Sequence, residues 1–165
     1  MPIVHLIHGF LGVGKTTFAR QLERATGAIR FSPDEVMSAR HGIDPPAEHF
    51  AAHHAIILAE LDSAWQALVR SGRDAILDYG FWKRAERDAI RSAVHAAGAT
   101  HRLYSVFCDE ATARARIQNR NTDLRGSLFI APATYDLLKK HFEPLAPDEV
   151  HVPIETHVPL RHTRF

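Results

Sequence analysis

Residues Gly9-Phe10-Leu11-Gly12-Val13-Gly14-Lys15-Thr16 constrain this chain more than any other stretch, because Gly9 and Gly14 bracket a turn that runs directly into a lysine and a hydroxyl residue. That spacing fits the P-loop pattern. Such glycines let the backbone bend until consecutive N–H groups point into one hollow, and the following helix adds the positive end of its dipole. The amides of Gly9, Leu11, Gly12, Val13, Gly14, Lys15, Thr16 and Thr17 are therefore the candidate phosphate contacts. Lys15 would reach the β- and γ-phosphates of ATP, and the Thr16 hydroxyl would hold Mg²⁺. The context agrees: Ile3 to His8 reads as a strand upstream, and Thr17 to Arg24 as an amphipathic helix downstream.

The rest of the chain alternates helix and strand. Residues 15–26 read as a helix ended by Gly27, and 28–31 as a short strand. Ser32-Pro33-Asp34-Glu35 predicts a helix start with serine as N-cap, proline at N1 and Glu35 closing a capping box. A longer helix starts near Asp44 and runs to about Val69. Ala75 to Tyr79 is apolar without alternation, as in a strand covered on both faces. A helix over 83–97, a strand over 101–108, a helix over 110–120, a polar stretch over 121–131, a helix over 132–142 and a fifth strand over 149–154 complete the pattern. This rhythm predicts an α/β fold with a mostly parallel sheet between two helical layers. Ligands of such sheets bind beyond the carboxyl ends of the strands.

Composition narrows the setting. A chain of 165 residues suits one domain, and its net charge of +1 argues against a surface built to coat nucleic acid. The single cysteine, Cys108, allows no internal disulfide. Neither a membrane span nor a basic leader is evident. A cytoplasmic protein, monomer or dimer, is the expectation.

The residues that follow each strand carry the chemistry. Asp34, after the second strand, is the candidate base that accepts the proton of a hydroxyl attacking the γ-phosphate; the plainer reading makes it a carboxylate favoured by the helix dipole. Asp78, ending the third strand, stands where an acidic residue holds Mg²⁺ opposite Thr16. Tyr79 follows it, so the second acid with which motor-type ATPases activate water is missing. Arg116 and Arg120, four apart beside the polar stretch, suit a kinase lid that closes on the transferring phosphoryl group. Arg84 and Arg87 reach the same rim, with local ion pairs as the plainer reading. His49 and His53, four apart on a helix with His54 alongside, invite a metal reading, but no H-E-x-x-H arrangement or cysteine partner completes a site, and they read as structural or surface residues. Phe10, Phe81 and Trp82 read as rim packing.

The segments GFLGVGKTTFAR, FSPDEV, ILDYGFWKRAERD, ARARIQNRN and FEPLAPDE together resemble the small P-loop kinase-like proteins called AAA domain-containing, relatives of the polynucleotide 5′-kinase domain, chloramphenicol phosphotransferase and zeta toxins. The resemblance implies a three-layer P-loop NTPase fold with strand order 2-3-1-4-5 and a small helical lid over about 117–133. It also implies ATP and Mg²⁺ as cofactors, Asp34 as base, Arg116 and Arg120 as lid arginines with Arg120 near the nucleotide, and Phe142-Glu143-Pro144 beside the adenine pocket. One departure from the polynucleotide kinase pattern stands out: no arginine occupies the turn after Asp34, the nearest being Arg40.

An ATP-dependent phosphotransferase acting on a hydroxyl of a small or nucleotide-like acceptor is the leading expectation. A nucleotide-dependent ATPase switch and a polynucleotide 5′-hydroxyl kinase are the alternatives.

Overall fold

The computed structural model describes residues 1–122 and 128–156. In chain order the elements are β1 (Ile3–His8), α1 (Lys15–Thr26), β2 (Ile29–Phe31), α2 (Pro33–His41), α3 (Ala47–Arg70), β3 (Ala75–Gly80), α4 (Arg84–Ala96), β4 (Thr100–Phe107), α5 (Glu110–Asn121), α6 (Pro132–Lys139) and β5 (Val152–Glu155). All strand pairs are parallel, and the sheet order is β2-β3-β1-β4-β5, as the resemblance implied. This order puts β1 and β3 side by side at the centre, with Leu6 opposite Leu77. The turns that leave these two strands therefore open into the same crevice.

Alternate side chains of the central strands feed two cores. Ile7, Ile76, Tyr104, Val106 and Ile154 pack with Phe18 and Leu22 of α1; Val4, Leu6, Leu77 and Leu103 pack with Trp65 and Val69 of α3 and with Ile90 and Val94 of α4. Two histidines of β1 are buried and bonded: the Nδ1 of His5 lies 3.1 Å from the Tyr104 hydroxyl, and the Nδ1 of His8 donates to the Phe81 carbonyl at 3.0 Å. The His8 ring also stacks on Phe142, centroids 5.0 Å apart.

Two boundaries differ from expectation for identifiable reasons. The helix expected to reach Phe142 ends at Lys139, since Phe142 turns inward between His8 and Phe10. The fifth strand starts at Val152 rather than 149, because the Glu149 side chain is drawn into a buried ion pair. Arg87 donates from Nε and Nη2 to the two Glu149 oxygens, each at 2.8 Å, and both side chains are 1% exposed. The remaining Arg87 donors reach the carbonyls of Phe81, Trp82, Glu143 and Pro144. Arg91 and the Ala146 amide complete the bonds to Glu149. This pair straps the 142–149 segment beneath the loop that follows β3.

Removing Glu149 leaves the buried Arg87 without its carboxylate, and removing Arg87 leaves the buried Glu149 only its more exposed partners Arg91 and Arg84. Either Glu149→Gln or Arg87→Met is expected to cost about 3–5 kcal/mol in urea unfolding. The buried His8 gives a pH test: burial pushes its pKa down to about 4 from 6.5, so the unfolded chain takes up the proton first. Stability contributed by neutral His8 is complete above pH 6.5 and fades as pH falls towards about 4, by at most about 3 kcal/mol. His8→Asn, which can still donate to Phe81 but does not titrate, should show a shallower loss of stability between pH 7 and pH 4.5 by urea titration.

Candidate active site

The loop between β1 and α1 is held from behind by three elements. Gly12 has φ +75° and lies so close to α5 that an added Cβ would sit 2.4 Å from the Ala113 carbonyl oxygen. At Gly9 a Cβ would meet the Val106 carbonyl at the same distance. Thr156, just past β5, donates its hydroxyl to the Val13 carbonyl at 2.5 Å, and Arg116 of α5 clamps that threonine through Oγ1 at 2.8 Å and its carbonyl at 2.7 Å. On the other flank the Phe10 ring sits among Trp82, Tyr135 and Phe142, and Trp82 Nε1 donates to the Gly9 carbonyl at 3.1 Å. The glycines thus serve close backbone approach as well as bending.

Lys15 begins α1 and folds back to donate to the Phe10 carbonyl at 2.6 Å, inside its own loop. Burial pushes its ammonium down, while Asp78 and Asp34 pull it up and Arg120 repels it. Asp78, at the end of β3, is buried. Burial pushes its carboxyl up, and Lys15, Arg30 and a hydrogen bond from the Thr16 hydroxyl oppose that rise. Asp34 is exposed in the first turn of α2, near enough to act on the charges of Lys15, Asp78 and Arg120. Arg120, near the end of α5, is pushed down by burial against the pull of Asp34. Its buried Nε has no hydrogen-bond partner among the described residues. Asp78 thus gathers Lys15, Thr16 and Asp34 around it beyond the carboxyl ends of β1 and β3, with Arg120 acting on Lys15 and drawn by Asp34.

Other expected residues lie elsewhere. Arg116 is engaged by Thr156 and the Val13 carbonyl, so its guanidinium supports the loop from outside the cleft instead of standing beside Arg120 as a second open donor. Arg84 pairs with Asp88 and Asp148 on the surface, and Arg87 is buried against Glu149. Phe142 and Pro144 line a cavity of about 290 Å³ with His8, Phe10, Val106 and Cys108; Lys15, Thr16, Arg116 and Arg120 do not line it. The cavity thus abuts the glycine loop at Phe10 and Val13. His41 and His53 stack 3.7 Å apart, and among the described residues no group of three or more His, Cys, Asp or Glu is placed to hold a metal ion. Of the lid expected over 117–133, residues 123–127 lie outside the described residues; Phe129 donates to the Ile43 carbonyl at 2.8 Å, joining that segment to the turn between α2 and α3.

Sequence reading missed Arg30 and mistook Glu35. Ser32 makes no side-chain capping bond, and Glu35 closes no capping box. The Glu35 carboxylate instead takes both arms of its hydrogen bonding from Arg30, at 2.7 and 2.8 Å, with Arg20 at 2.7 Å. Burial pushes Glu35 up, but these arginines more than offset it and hold it below its ordinary value. Arg30 also donates to Asp78 at 3.2 Å. The signal was present in the sequence: an arginine inside a short buried-type strand needs a carboxylate partner nearby.

An AAA domain family profile matches residues 4–145. The chain belongs to this AAA domain family. Solved structures show the same fold at low identity. A candidate kinase from Chloroflexus aurantiacus is 19% identical with a TM-score of 0.75, over 94% of this chain and 88% of its own. A gluconokinase from Sinorhizobium meliloti is 16% identical with a TM-score of 0.65, over 96% and 85%. The Mycobacterium tuberculosis APS kinase, in complex with AMPPNP and APS, is 15% identical with a TM-score of 0.61, over 96% and 90%. No curated protein matches the sequence. The fold is that of the P-loop kinases.

Gly12→Ala tests the close approach of loop and helix. The left-handed backbone alone should cost about 1–2 kcal/mol, and the contact with Ala113 should add to it in urea unfolding. An unchanged midpoint would contradict the described packing.

Proposed function

We propose that the chain is an ATP- and Mg²⁺-dependent kinase that moves the γ-phosphate to a hydroxyl of a small-molecule or nucleotide-like acceptor. The observation that carries this reading is the gathering of Lys15, Thr16 and Asp34 around the buried Asp78, with Arg120 close enough to act on Lys15 and to feel Asp34. The gluconokinase among the neighbours, and the APS kinase in complex with AMPPNP and APS, support the same class.

In this reading the loop amides and the positive end of α1 cradle the phosphates. Lys15 exchanges the Phe10 carbonyl for β- and γ-phosphate oxygens, a better acceptor for an ammonium ion. Thr16 and Asp78 present hard oxygens of the kind Mg²⁺ takes alongside water and phosphate, and the metal would neutralise charge on the leaving diphosphate. Asp34 orients the acceptor hydroxyl and takes its proton as the acceptor oxygen bonds to the γ-phosphorus. The bond from that phosphorus to the bridging oxygen breaks, and ADP leaves with its electron pair. Arg120, from the end of α5, meets the charge on the transferring group. Arg116 holds the glycine loop in shape through Thr156.

Asp34→Asn keeps the shape but removes the base. It should bind ATP within a few-fold of the parent and lose about 10²–10⁴ in transfer to the acceptor found in a panel of sugars, sugar acids, nucleosides and 5′-hydroxyl oligonucleotides. Full transfer by Asp34→Asn would remove the assigned base, and label confined to oligonucleotide ends would move the acceptor to nucleic acid.

A further inference from the structure

We propose that Arg30 is a positioning residue that fixes the acceptor-side Asp34 against the metal-side Asp78. The inference rests on the phosphotransfer reading above. Phosphoryl transfer needs attacking and leaving oxygens nearly in line, so the spacing between the group that aims the acceptor and the group that anchors the metal must be set. Those two aspartates come from different elements, α2 and β3, and two like-charged carboxylates repel instead of holding each other in place.

Arg30 supplies the missing strut. From β2, its Nη1 donates to the Asp78 Oδ2 at 3.2 Å, while its Nη2 donates to both Glu35 oxygens at 2.8 and 2.7 Å. The Arg30 side chain is 9% exposed and that of Asp78 is 2% exposed. Glu35 immediately follows Asp34, so gripping its carboxylate fixes the first turn of α2. That turn needs fixing, because Ser32 gives it no side-chain cap. Arg20 holds the same carboxylate from α1, the helix that starts with Lys15 and Thr16. The Arg30 fork thereby joins the helix of the base to the metal side, and the Glu35 carboxylate it grips ties both to α1 through Arg20. A guanidinium can span two carboxylates in this way, whereas a lysine ammonium acts as a single point.

AMPPNP binding by calorimetry, with and without Mg²⁺, tests the proposal beside hydrogen exchange of residues 32–38. In Arg30→Met, affinity without Mg²⁺ should stay within about threefold of the parent, while the gain on adding Mg²⁺ falls about tenfold. Exchange should quicken in 32–38 and stay unchanged in 9–16. Arg30→Lys should keep the charge yet recover only part of the gain; should Arg30→Met fail to fold, Arg30→Lys decides on the same readings. A parent protein that binds no AMPPNP would overturn the phosphotransfer reading and this inference with it. A parent that binds AMPPNP without any gain from Mg²⁺, or an Arg30 variant that keeps the gain, would overturn the strut alone. So would equal loss of both affinities together with a lowered unfolding midpoint, which marks a merely structural arginine.

Discussion

A carboxylate buried at the end of a central strand dictates the arrangement around it. Asp78 is removed from water at the crevice floor, where an isolated negative charge would be expensive to keep. Lys15 and Thr16 reach it from the start of α1 and Arg30 from β2, so three segments far apart in sequence must meet at one point. The parallel sheet makes this possible because β2, β3 and β1 are consecutive neighbours whose ends lie on one side. The site is thus assembled by compensation of a single charge. Its second consequence is that Lys15, pushed down by burial, sits with its ammonium on a backbone carbonyl that a triphosphate can readily replace.

A separate buried pair organises the other flank. Arg87 and Glu149 strap the 142–149 segment to the loop after β3, which in turn places Trp82 and Phe142 around Phe10. Together with Thr156 and Arg116 on Val13, this sandwiches the glycine loop between an aromatic bracket and a polar clamp. The loop's shape is therefore held by tertiary contacts on both sides, and its glycines leave room for backbone on one of them.

Much of this was legible before any coordinates. Strand, glycine turn and helix announced the crevice, and the lack of alternation in 75–79 announced a strand covered on both faces. Lys15, Thr16, Asp34, Asp78 and Arg120 fall together because each stands next to a strand end or the lid, positions that topology alone singles out. What escaped depends on partners distant in sequence. Glu35 satisfied a local capping pattern, yet two arginines offered it stronger, charge-assisted bonds than the Ser32 amide could. Arg116 reads, with Arg120 one turn away, as a lid arginine, but its guanidinium is bonded to Thr156, 40 residues later, a partner that spacing does not reveal. The Phe142 segment lines a cavity against Phe10 and Val13 of the glycine loop, a contact between distant segments that spacing does not encode.

The central claim is that the glycine loop and its lysine bind a triphosphate. Calorimetric titration of ATP into the folded protein and into Lys15→Met addresses it directly. The account predicts saturable heat for the parent and an affinity lower by about tenfold or more for the variant, a difference of roughly 1.4 kcal/mol. Absence of heat from an intact parent, or equal affinity in both proteins, would contradict it.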